Sequence, residues 1–192
     1  MLQKIFPNMF KSNPNSSSDE FKEGKEELKL FESDPKLKKA TFAGGCFWCM
    51  EGPLESVKGV EGVVLGYTGG GRETALVFYD PNITKYKDLV EMYWKFIDPT
   101  DPDGQFADRG SRYHLGIFYH TQEQQEIAAQ YIREMEESGK YDKPITVELL
   151  PEEDFKLAED YHQNYYKKQS KNYKEYYRGS GRQAFVESNS FE

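Results

Sequence analysis

Both cysteines of this 192-residue chain, Cys46 and Cys49, lie in TFAGGCFWCMEG (residues 41–52), separated only by Phe47 and Trp48. A thiol becomes a good nucleophile when it ionises. The unpaired N–H groups and positive dipole end at a helix start favour that ionisation. The spacing predicts a helix beginning at or near Cys46, so Cys46 is the candidate nucleophile. Gly44 and Gly45 let the backbone turn tightly and leave the sulfur approachable. Cys49 falls one turn further along the same face, where it could attack an oxidised Cys46 and close a disulfide. The competing reading is inert packing, the usual state of a buried cysteine. Zinc would require four ligands. His114, His120 and His162 are not closely spaced to the pair, so no metal is expected. His120 and His162 read as ordinary hydrogen-bonding histidines. Phe47 and Trp48 read either as core aromatics or as an apolar wall beside the nucleophile, suited to a small group such as an S-methyl.

The elements that must position these residues follow from periodicity. KKATFAGG reads as a short strand ending in a glycine turn, followed by the helix carrying Cys46, Cys49, Met50, Leu54 and Val57 on one face. Pro53 predicts a kink or restart in that helix. VEGVVLGYTGG and ETALVFYD are two strands, the second with Glu73, Ala75, Val77 and Tyr79 on one face. YKDLVEMYWKFI is an amphipathic helix burying Tyr86, Leu89, Val90, Tyr93, Trp94 and Ile97. DPTDPDGQFADRG is a loop, and RYHLGIFYH alternates as a strand. Thr121 caps a helix with Gln124 completing a capping box and Gly139 closing it. PITVELL is a further strand, and EEDFKLAEDYHQNYY a helical turn or more. Residues 1–37 read mainly as a mobile leader with a short helix around Glu26–Phe31, and the Tyr- and Lys-rich C-terminus as an irregular tail. The mixture implies an α+β fold, a compact two-layer α/β sandwich on a mixed, ferredoxin-like sheet, with the catalytic domain over 38–192.

Composition narrows the setting. With 25 Lys+Arg against 33 Asp+Glu the net charge is −8, which argues against a nucleic-acid or anionic-membrane surface. No run of eighteen apolar residues predicts a spanning helix. MLQKIFPNMFKSNPNSSS lacks the apolar core of a secretory signal, and two cysteines cannot build a disulfide scaffold. A cytoplasmic, reducing compartment and a monomer are the expectations.

GCFWCMEGPLESVKGVEGVVLGYTGG closely resembles the start of the peptide methionine sulfoxide reductase A family, whose hallmark is Gly-Cys-Phe-Trp. VFYDP, FIDPTDPDGQFADRGSRYHLGIFYH, AEDYHQNYY and GSGR follow in the family's order. The resemblance runs from about Ala40 to about Val186. It implies reduction of methionine S-sulfoxide, in oxidised proteins or as the free amino acid. Cys46 would attack the sulfoxide sulfur and be left as a sulfenic acid. By the same resemblance, Phe47 and Trp48 hold the methyl group, and Glu73 is the protonated carboxyl that gives its proton to the sulfoxide oxygen. Tyr113 hydrogen-bonds that oxygen, Asp108 shapes the site, and Tyr67 lies in the matching GYTGG. No bound cofactor is implied; thioredoxin or a small thiol is the reductant.

The chain departs from the family pattern in three places. Only Gly71 and Arg72 separate Gly70 from Glu73, where the family carries a longer loop with a second oxygen-binding tyrosine and a histidine. Arg112-Tyr113-His114 replaces the more usual Gln-Tyr-Arg. The C-terminal segment has no resolving cysteine, so Cys49 is the internal candidate, with direct reduction of Cys46 as the alternative. Two other functions stay open from the residues: an inactive methionine-binding relative, and a thioredoxin-like dithiol oxidoreductase.

Overall fold

The computed structural model describes residues 20–189. Its centre is a six-stranded sheet built from β1 (Lys38–Ala43), β2 (Val60–Thr68), β3 (Arg72–Tyr79), β6 (Gly116–Tyr119), β7 (Glu148–Pro151) and β8 (Lys156–Leu157), in the order β7-β6-β1-β3-β2-β8. All neighbours are antiparallel except β6 and β7. With α2 (Trp48–Glu55) after β1 and α3 (Tyr86–Lys95) after β3, the inner strands make a β-α-β-β-α-β unit in the order β6-β1-β3-β2. This is the expected ferredoxin-like mixed sheet. A two-residue ribbon, β4 (Gly104–Gln105) with β5 (Asp108–Arg109), projects from the loop that follows α3.

Strand alternation sorts the side chains onto two faces. Phe42, Val63, Leu65, Ala75, Val77 and Ile117 join α2 and α3 in the main core, with the buried stripe Tyr86, Leu89, Val90, Tyr93, Trp94 and Ile97 as read from the periodicity. The helix α4 (Gln122–Glu137) adds Ala128 to the same core. The Thr121 hydroxyl accepts from Gln124 N–H, and the Gln124 side chain reaches back to His120 N–H, one residue beyond a standard capping box. Pro53 sits inside α2, which stops two residues later at Glu55.

Four expectations change. The leader drawn over 1–37 lies outside the described residues up to 19, but its Lys22–Ser33 portion is a helix, α1, docked on the second sheet face. Leu28 and Phe31 pack on Val64, Leu76 and Phe78, and the rings of Phe31 and Phe78 stack at 5.2 Å. An exposed apolar sheet face needs such a cover, which a composition-based reading of a charged segment misses. The segment 152–164 is extended and turned rather than helical: Lys156–Leu157 pairs with Tyr67 and Gly66 at the sheet edge. The C-terminus, expected as irregular tail, is three helices: α5 (Tyr165–Lys168), α6 (Ser170–Gly179) and α7 (Arg182–Ser188). Of RYHLGIFYH, only Gly116–Tyr119 is strand, because Ser111–Tyr113 winds into a 3₁₀ turn.

No helix among the described residues is long and apolar enough to cross a membrane. Removing the Phe31 ring should leave a void under α1 and lower stability by about 2 kcal/mol in denaturant unfolding. A loss below about 0.5 kcal/mol would mean that α1 contributes nothing to the fold. Glu51, on α2, is 1% exposed; one carboxyl oxygen accepts from Asn164 N–H at 2.7 Å and the other has no partner. Burial pushes its carboxyl up to about 8. The folded state therefore holds a proton that the unfolded chain has already released, and stability falls as pH rises from about 4.5 through about 8. Glu51→Gln should be nearly neutral at pH 5 and stabilising at pH 8 in paired unfolding curves.

Candidate active site

The site forms where β1 turns into α2. Gly45 has φ +78°, and a Cβ there would lie 2.5 Å from Gln105 Cβ, so only glycine lets the turn close onto the β4 ribbon. Cys46 follows, with its carbonyl accepting from Cys49 N–H at 3.0 Å. The regular helix begins two residues later, at Trp48. Both cysteines are free and buried: Cys46 is 5% exposed and Cys49 is fully enclosed.

Glu73 reaches this turn from the start of β3. The β2–β3 hairpin closes through Gly69, Gly70 and Gly71, all at positive φ, with Gly71 N–H donating to Thr68 carbonyl at 3.1 Å. Three consecutive left-handed glycines make the turn, and Tyr67 pairs directly with Glu73 across the strands. Strand alternation then aims Glu73 at α2, where its Oε2 accepts from Phe47 N–H at 3.1 Å. Burial pushes the Glu73 carboxyl up to about 8, and the charge of Asp108 adds to this. The bond from Phe47 and the Arg112 charge act in the opposite direction. At neutral pH Glu73 therefore holds its proton.

Asp108, on β5, is 2% exposed and accepts a hydrogen bond from the Tyr176 hydroxyl. Burial raises its carboxyl, opposed by that bond and by the charge of Arg182. Tyr113 ends the 3₁₀ turn. Burial raises its phenol, with Glu73, Asp108 and Cys46 as the neighbouring negative groups. Cys46, Glu73, Asp108 and Tyr113 thus share one electrostatic neighbourhood.

The expected easy ionisation of Cys46 is corrected. Its thiol is pushed well above the usual cysteine range, by burial first, then by its hydrogen bond and charge coupling with Cys49, then by Glu73 and Asp108. The start of an eight-residue helix does not offset the loss of water. Four residues explain the enclosure, and the sequence reading gave none of them a site role. Tyr165 stacks flat on Trp48 with centroids 3.9 Å apart, and Tyr176 meets Trp48 edge-on at 5.9 Å. His162 Nδ1 accepts from Trp48 Nε1–H at 3.1 Å, and the imidazole stands edge-on to Phe47 at 5.0 Å. Burial lowers His162 to about 4, which keeps the acceptor nitrogen free. Gln163 positions His162: its amide bonds both Leu65 N–H (2.9 Å) and Leu65 carbonyl (2.9 Å), imitating one more strand partner. Arg182 is the fourth, enclosed beneath the Gly44–Gly45 turn. The HQ and GSGR motifs were the signals available, but their roles depend on chain segments more than one hundred residues away.

Phe47 and Trp48 are 1% and 5% exposed, and Tyr67 is half-buried with its ring 5.7 Å from Phe47. The rings belong to the core, in the same buried cluster as Cys46 and Cys49. Among the described residues no group of three or more His, Cys, Asp or Glu side chains is placed to hold a metal ion. His120 bonds Thr41 at 2.9 Å and Glu152 at 2.7 Å, away from the thiols.

Comparison with known proteins points to one family. The family model described as peptide methionine sulfoxide reductase matches residues 38–76 and 70–192. The peptide methionine sulfoxide reductase MsrA of Bacillus velezensis is 47% identical over 164 residues, covering 77% of this chain and 93% of the relative. That of Listeria monocytogenes is 46% identical over 169 residues, covering 80% and 96%. The fold is similar to Mxr1 from Saccharomyces cerevisiae in its reduced form (TM-score 0.66, 25% identity, 71% of this chain and 88% of that one). It is also similar to methionine sulfoxide reductase A of Corynebacterium diphtheriae (TM-score 0.62, 25% identity, 72% and 77%). Sheet, thiol turn and sequence together show that this chain belongs to the peptide methionine sulfoxide reductase family.

Proposed function

We propose that the protein reduces methionine S-sulfoxide in peptides and oxidised proteins, with Cys46 as nucleophile and Glu73 as proton donor. One observation carries the reading: a carboxyl that keeps its proton at neutral pH is hydrogen-bonded to the residue next to an enclosed thiol. A sulfoxide oxygen leaves sulfur only as it gains a proton, and a buried neutral carboxylic acid is suited to give one. Phe47 and Trp48 form the apolar wall for the S-methyl, while Tyr113 and Tyr67 offer hydroxyls near the oxygen. Asp108, held by Tyr176, shapes the opposite side.

In this reading Cys46 sulfur attacks the sulfoxide sulfur, and oxygen passes to Cys46. Thiol and sulfoxide become sulfenic acid and thioether, a two-electron exchange that balances without a cofactor. Cys49 then attacks Cys46, expelling the oxygen as water and forming the Cys46–Cys49 disulfide. Thioredoxin or a small thiol reduces that bond; one solved relative of similar fold is Mxr1 in complex with Trx2.

The dithiol-oxidoreductase reading is disfavoured because the match to the sulfoxide reductases runs along residues 38–192 and not only through the CxxC turn. The inactive-relative reading is addressed by mixing reduced protein with one equivalent of methionine S-sulfoxide and measuring methionine formed. About one equivalent is expected; binding with no methionine formed would leave only the inactive relative. Cys46→Ser should abolish this first turnover and Glu73→Gln should slow it at least about a hundredfold.

The reactive form carries the pair's single proton on Glu73 with Cys46 anionic, the minor arrangement because the thiol is raised further than the carboxyl. Because both groups sit high, acid adds a second proton and silences the pair. The second-order rate constant for the first turnover should climb about tenfold per pH unit below about 8 and then level off. A rate constant flat between pH 6 and 8 would exclude this pairing. Cys49→Ser should retain the first turnover but lose thioredoxin-driven cycling; normal cycling would assign reduction directly to Cys46.

A further inference from the structure

Arg182 is an enclosed cation, at 1% exposure. Such a cation is normally paired with a carboxylate. Arg182 instead donates to Phe96 carbonyl at 2.6 Å, to Gly44 carbonyl at 2.9 Å and to the Met50 sulfur at 3.7 Å, and among the described residues it forms no ion pair. These contacts bracket the cysteine pair, since Gly44 lies two residues before Cys46 and Met50 directly follows Cys49. A Cβ on Gly45 would lie 2.8 Å from its guanidinium, so the turn and the cation are in close packing.

We propose that Arg182 is a positioning residue for the resolving step, whose unneutralised positive charge behind the Gly44–Met50 turn stabilises the negative charge on Cys49 sulfur as it attacks oxidised Cys46. This rests on the reading of Cys49 as the resolving thiol. The surrounding charges point the same way. Burial opposes the guanidinium charge, and Cys49, Tyr176, Cys46 and Asp108 are, in falling order, the groups whose negative form it would face. Glu73 and Asp108 raise Cys46, so the carboxyls disfavour negative charge on the first sulfur while Arg182 couples most strongly to the second. Tyr173 and Tyr177, facing Cys49 from α6, are both raised and so stay neutral near pH 7. In the step itself Cys49 thiolate attacks the Cys46 sulfenic sulfur. The S–S bond forms, the S–O bond breaks, and hydroxide leaves and takes up a proton as water. The only oxidant is the oxygen already delivered by the sulfoxide.

A purely structural Arg182 would serve by its hydrogen bonds; a counter-charge would serve by its charge, and substitution separates the two. Full-length protein is mixed with one equivalent of N-acetylmethionine S-sulfoxide. The sulfenic acid is trapped at intervals with dimedone, and the Cys46–Cys49 disulfide is followed by mass. Arg182→Gln should slow disulfide closure about tenfold at pH 7 and move its pH profile about one unit upward. Arg182→Lys should close within about threefold of the parent, with an unmoved profile. Closure by Arg182→Gln at the parent rate, or an equal loss in Arg182→Lys, would overturn the proposal. Should Arg182→Gln fail to fold, Met50→Glu neutralises the guanidinium in place. It should slow closure at least as much, and closure at the parent rate would equally overturn the idea. If the parent forms sulfenic acid but no disulfide, the resolving-cysteine reading fails and this inference falls with it. Disulfide closure that ignores the charge at residue 182 sinks the inference alone.

Discussion

The exclusion of water from the turn between β1 and α2 is the constraint on which the rest depends. Trp48 is clamped between the face of Tyr165 and the ring nitrogen of His162, and Cys46 lies beneath with 5% of its surface exposed. In that enclosure no negative charge is cheap, so Cys46, Glu73 and Asp108 are all displaced toward their neutral forms. The same displacement that disfavours the Cys46 thiolate leaves Glu73 holding its proton at neutral pH, so one cause sets the protonation of both groups.

The fold delivers this by bringing four separate stretches of chain to one end of the sheet. β1 carries the thiols to its C-terminal end, and β3 starts beside it because the two strands run antiparallel. Glu73 therefore lies level with the turn. The β4 ribbon brings Gln105 and Asp108, and the C-terminal helices cover what remains open. Gln163 and Arg182 attach that C-terminal cover to backbone carbonyls of Leu65, Gly44 and Phe96. Buried carbonyls need donors in any case, so the cover satisfies polar groups that the inner domain leaves exposed.

The short β2–β3 hairpin also has a structural consequence. Arg72, at its far side, donates to both oxygens of Glu148 at 2.9 and 3.0 Å and to Leu115 carbonyl at 3.1 Å. The hairpin is tied to the ends of β6 and β7 by this fork. With little loop length to vary, three glycines and one arginine set the height at which Glu73 enters the site.

Local pattern by itself determined the inner domain: the four core strands, the buried stripe of α3, the cap of α4, and the thiol–Phe–Trp–thiol turn with Glu73 on the inward face of its strand. These follow from periods of 2 and 3.6 and from turn chemistry, which act over a few residues. Tertiary structure alone decided whether Cys46 ionises readily. Its surroundings come from Tyr165, Tyr176, His162 and Arg182, all more than one hundred residues along the chain, and proton affinity depends on the water those residues remove. The α1 cover over the outer sheet face and the helical C-terminus were hidden for the same reason. Segments rich in Lys, Glu and Tyr have weak patterns of their own and acquire their form from the apolar surface they cover.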